Sequence, residues 1–156
     1  MPENYQSKQN LDLALEIISR KLDFQSKAFA SLEAKIGILF GFVGLIFSGA
    51  IIQMAGQLEL LGRNFLTLGL IGLSVTLLLL VLASRTKIFL DPPDFPTFYS
   101  EDSLKKTAVA FKNQIVSDMI ESYKRNAKLH SEKAQFYDFA LWTFLASLVL
   151  IFTGII

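Results

Sequence analysis

The chain has 156 residues, 52% of them hydrophobic, with a formal net charge of +1 and a mean hydropathy of +0.44. A soluble domain of this length cannot bury so much apolar surface, which places the excess against lipid. With no cysteine, disulfides, thiolate metal sites and thiol catalysis are excluded together.

Residues 1–35 open polar and charged, without the short apolar core of a cleavable signal, so the first span is expected to serve as the insertion signal. The stretch reads as a cytoplasmic amphipathic helix with apolar residues at Leu11, Leu15, Ile18, Leu22, Phe29, Leu32 and Ile36. Steps of four and three make this a heptad seam. Gln25 is the one interruption, and a lone polar residue on such a seam can set register or oligomeric state.

Residues 36–55, IGILFGFVGLIFSGAIIQMA, carry no charge and cover ~30 Å as a helix, the thickness of a hydrocarbon core. They form transmembrane segment 1. Gly37, Gly41, Gly44 and Ser48 lie on one stripe of it, where another helix backbone can approach closely. An external loop, 56–64, leads to transmembrane segment 2, 65–83, where Gly69, Gly72 and Thr76 repeat the pattern. Tight packing within one chain is the expectation for each glycine; lining a pore or a subunit interface is the functional alternative.

Residues 84–100 form a Pro-rich cytoplasmic link. Its prolines disfavour helix or central strand, and its aromatics Phe89, Phe95, Phe98 and Tyr99 are expected on the cytoplasmic bundle, with the headgroup layer as the alternative. A cytoplasmic helix, 101–135, follows, with Ser100 as cap and Glu101 and Asp102 at its positive end. Its stripe is Phe111, Ile115, Met119, Tyr123, Ala127, His130, Ala134 and Tyr137, which can cover the seam of the first helix. An upright rod from Glu101 would stand ~52 Å above the bilayer, whereas the link reaches only ~43 Å. Strong tilt, bending or a break near Lys112–Gln114 is therefore expected. Transmembrane segment 3, 136–156, contains the uncharged run Phe139 to Ile156, with Trp142 near its inner end as an interfacial aromatic.

The fold class that follows is all-α and integral to the membrane: three transmembrane helices with a cytoplasmic helical hairpin or bundle. Of the 15 Lys and Arg residues, only Arg63 lies in the short external loop. The positive-inside rule then places the N-terminus in the cytoplasm and the C-terminus in the periplasm or outside, across a bacterial inner membrane.

Little in the chain points to catalysis. No glycine-rich loop precedes a GK[ST] motif, no charge sits at the centre of a span as ion-coupled transporters require, and the single histidine cannot build a multi-histidine metal site. No catalytic residue, metal or cofactor is expected. Near the membrane edge, Tyr123, Lys124, Asn126, Lys128, His130 and Lys133 are candidates for an anionic ligand; a solvated, positively charged flank is the plainer reading. Asp118, Glu121 and Glu132 interrupt the basic residues, so nucleic acid is not an expected partner.

The stretch SLEAKIGILFGFVGLI leading into segment 1, the proline-containing reversal, and SYKRNAKLHSEKAQFYDFAL leading into segment 3 resemble the Pycsar-type transmembrane effectors and the SMODS- and SLOG-associated membrane domains. Glu33, Lys35 and Gly37 match the acidic-x-Lys step before a glycine-containing span, and Asn126 and Lys133 match an Asn followed by a Lys at the membrane edge. The resemblance implies an effector of anti-phage defence that oligomerises and impairs the inner membrane on a cytoplasmic signal. A cyclic nucleotide or a soluble protein is the expected signal, although no separate nucleotide-binding domain is recognisable. A scaffolding membrane protein that docks a soluble partner through its cytoplasmic helices is the alternative.

Overall fold

The computed structural model describes residues 3–55, 60–85 and 107–156. These form three helices: α1 (Glu3–Met54), α2 (Leu60–Ser84) and α3 (Ala108–Ile155). All three are long and apolar enough to cross a membrane. At 1.5 Å per residue they measure ~78, ~38 and ~72 Å, so α1 and α3 are far longer than a ~30 Å hydrocarbon core requires.

The break expected at Lys112–Gln114 is absent, for α3 is unbroken from Ala108 onward. Thr107 starts it. The threonine Oγ1 accepts from the Ala110 N–H at 3.4 Å and its carbonyl accepts from the Phe111 N–H at 2.9 Å, an N-cap arrangement. A rod that begins at Ala108 is shorter by ~10 Å than one from Glu101, which removes the shortfall in reach. The Ser100 cap, Glu101, Asp102 and the aromatics Phe89, Phe95, Phe98 and Tyr99 lie outside the described residues.

The chain divides into two compact units, Met1–Ala30 with Lys87–His130, and Ser31–Thr86 with Ser131–Ile156. In the first, Ile18 and Leu22 of α1 pack on Met119 of α3, with Leu15, Ile115 and Tyr123 half-buried around them. The seam of the first helix is thus covered from within the chain and needs no second copy. Ala127, read as part of the facing stripe, is exposed; the buried position belongs to Asn126, which has no accessible surface.

In the second unit, Leu32, Ile36, Leu39, Val43 and Ala50 of α1 carry the same four-and-three spacing onward. They meet Leu66, Leu73, Leu80 and Ala83 of α2 and Ala140, Phe144 and Ile151 of α3. Outside this core the unit exposes large apolar side chains on all three helices, among them Phe42, Leu45, Ile52, Leu78, Trp142, Val149 and Phe152. Such a surface is compatible with lipid and not with water. Hydroxyls inside the spans donate to their own helices, as Ser48 does to the Gly44 carbonyl at 2.9 Å and Thr143 to that of Phe139 at 2.8 Å. No hydroxyl proton is then left unbonded against hydrocarbon at these positions.

Candidate functional site

Glycines of the same spacing have opposite surroundings on α1 and α2. On α2, a Cβ added to Gly69 would lie 2.5 Å from the Ile151 side chain and 3.2 Å from the Ser147 carbonyl oxygen; one added to Gly72 would lie 2.2 Å from Ser147 Oγ. Gly62 and Gly154 face each other directly, each within 2.7 Å of the other's carbonyl oxygen by the same measure. The start of α2 therefore lies against the end of α3, and the two helices run antiparallel at a separation only glycine permits. Thr76 is buried beside them and donates to the Gly72 carbonyl at 2.9 Å.

On α1 the expectation of packing within the chain is overturned. Among the described residues, a Cβ at Gly37, Gly41, Gly44 or Gly49 meets nothing within 4 Å, and Ser48 is exposed beside them. The reason is rotational. At ~100° per residue, Gly37, Gly41, Gly44 and Ser48 point ~140° away from the buried stripe of Ile36, Leu39, Val43 and Ala50. The result is an open strip of bare backbone along a transmembrane helix.

The polar candidates separate into three groups. Lys124 and Lys128 are exposed on the outer side of α3. Tyr123, Asn126 and His130 face α1: Lys21 Nζ stands 5.9 Å from the Tyr123 ring centroid, and the His130 and Phe29 rings are 6.3 Å apart at 51°. Gln25 belongs with them, since its Nε2 donates to the Tyr123 carbonyl at 3.2 Å; its polar side chain is engaged by the chain's own α3. Lys133 lies in the other unit, buried, with its Nζ 3.0 Å from Glu33 Oε1. Within the first unit, the exposed Lys124 and Lys128 thus lie away from Tyr123, Asn126 and His130.

Sequence reasoning missed Gly62, Ser147 and Gly154, although a small residue at each end of a hydrophobic run was visible. It also missed two ion pairs, Glu33 with Lys133 and Asp12 with Lys112, whose partners stand 100 residues apart. Among the described residues no group of three or more His, Asp or Glu side chains is placed to hold a metal ion.

No curated protein and no solved structure matches the chain. A family model does: the Pycsar effector protein domain aligns with residues 18–156, from the first fully packed residue of the α1 seam to the end of α3. It takes in the covered seam, the glycine contacts of α2 with α3 and the open strip on α1. The chain belongs to the Pycsar effector transmembrane family and is a membrane effector.

Proposed function

We propose that this effector acts in anti-phage defence, without enzymatic chemistry, by self-association through the glycine strip of α1, which changes the permeability of the inner membrane when a signal reaches its cytoplasmic part. One observation carries the reading: the glycines of α2 are filled by α3, whereas those of α1 have no neighbour within 4 Å among the described residues. Van der Waals contact between closely approaching backbones drives helix association in lipid, where apolar side chains gain nothing from leaving water. A second copy supplies such a contact. The signal, a cyclic nucleotide or a soluble protein, acts on the unit that holds Tyr123, Asn126 and His130.

The scaffolding alternative draws on a different feature. Leu13, Ile17 and Phe24 are 56%, 49% and 75% exposed on the part of α1 that precedes the first span, where water and not lipid is the solvent, and a soluble partner could cover them. Induced expression in a bacterial host, followed with a membrane-potential dye, separates the two. Depolarisation supports the effector. An unchanged potential together with a co-purifying soluble protein supports the scaffold.

Orientation is open to a direct check. A reporter active only in the periplasm is expected to work when fused after Ile156 and when inserted near Gln57, since positive charge holds the other ends inside. Activity of a cytoplasm-only reporter at either site would reverse the assignment.

A further inference from the structure

The contact of α1 with α3 in the unit formed by Met1–Ala30 and Lys87–His130 holds two polar atoms that closure leaves without partners. Gln25 Oε1 and His130 Nε2 are both shielded from solvent and neither has a hydrogen-bonding partner. They flank Asn126, which is completely buried. A buried polar atom without a partner loses its bond to water and gains nothing in return. The Gln25 and His130 atoms therefore oppose closure, and they sit directly after the apolar contact of Ile18 and Leu22 with Met119.

Among the described residues, the buried apolar side chains of this unit are Ile18, Leu22, Phe29 and Met119, a small contact for two long helices. The Asp12–Lys112 ion pair has its carboxylate half exposed, and such surface pairs add little. No proline or glycine interrupts α1 before Gly37, or α3 between Ala108 and Gln135, so neither helix has a hinge within this unit. Separation then takes the form of two intact rods parting, with water reaching Gln25 Oε1 and His130 Nε2 as they do.

We propose that the Gln25–Asn126–His130 layer is a built-in release point, which keeps the pairing of α1 with α3 in this unit close to balance so that a modest signal can open it. The role of opening in activation rests on the effector reading; the opening itself does not.

Because the chain has no cysteine, nitroxide labels can be placed on the exposed positions Ser19 and Ser117 by Ser19→Cys and Ser117→Cys. Pulsed electron paramagnetic resonance is then recorded in lipid vesicles, with labelled chains diluted in unlabelled protein. The parent is expected to show a short and a longer distance. Gln25→Leu with His130→Phe, which removes the layer and keeps a ring against Phe29, should lower the longer population about tenfold and raise the melting temperature. Leu22→Ala should move the population the other way. A parent without the longer distance, or a layer variant with the same populations and melting temperature as the parent, overturns the proposal. If the populations shift as expected while the parent fails to depolarise cells, the effector reading falls and the release point stands.

Discussion

Gly41→Leu is expected to leave the fold of the chain intact and to abolish both self-association and depolarisation. The added side chain points into open space, for nothing lies within 4 Å of a Cβ at that position or at Gly37 and Gly44. Replacing a mid-helix glycine also favours the helix by about 0.8–1 kcal/mol. The melting temperature should stay level or rise. A second helix backbone, however, can no longer approach the strip, and association should weaken by at least about tenfold, the equivalent of ~1.4 kcal/mol. Cross-linking in native membranes and the mass of the protein in mild detergent measure the first effect, and the potential dye measures the second. An oligomer of unchanged size in the leucine variant would move the contact to another face.

Gly154→Ala, a far smaller change, is expected to destabilise the chain. Its Cβ would lie 2.7 Å from the Gly62 carbonyl oxygen and 2.9 Å from the Leu66 amide nitrogen. Both are backbone atoms of α2, so no rotamer change relieves the overlap and the helices must move apart. Overpacking of this kind costs about 1–3 kcal/mol. Gly72→Ala provides the contrast, because it meets the Ser147 hydroxyl at 2.2 Å and the Ser147 Cβ at 3.3 Å. Its cost should fall in a Ser147→Ala background, whereas that of Gly154→Ala should not. Thermal melts of the six proteins in one detergent decide the matter; equal melting temperatures for Gly154→Ala and the parent would mean that α2 and α3 do not approach as closely as described.

Three apolar runs and one heptad seam made the helices readable, since hydrophobic length and periodicity are local properties of the chain. The glycines show where local reading ends. Gly41 and Gly44 repeat the three-residue step of Gly69 and Gly72, yet one pair is open and the other filled, because occupancy depends on which way a helix is turned about its axis. Ala127 was misplaced for a related reason. The stripe from Phe111 to Ala127 runs in four consecutive steps of four, each advancing ~40° beyond a full turn. By Ala127 it has rotated off the contact, and the seven-residue series Met119, Asn126, Lys133 and Ala140 marks the buried line instead. Lys133 and Glu33 both stood out through the family likeness, but their pairing across 100 residues carries no local signature. Thr107 caps α3 from within the helix read over 101–135, where no break in hydrophobic period marks it.

Asp12 meets Lys112 and Gln25 meets Tyr123, offsets of 100 and 98 residues, so α1 and α3 run side by side in the same direction. During synthesis, α1 therefore emerges long before its complement exists. At about 5–20 residues per second, ~100 residues take the ribosome roughly 5–20 s. Throughout that interval Ile18 and Leu22 face water, within reach of chaperones and of other nascent chains. A message cut short before the codon for Ala108 would leave that surface bare for the lifetime of the fragment.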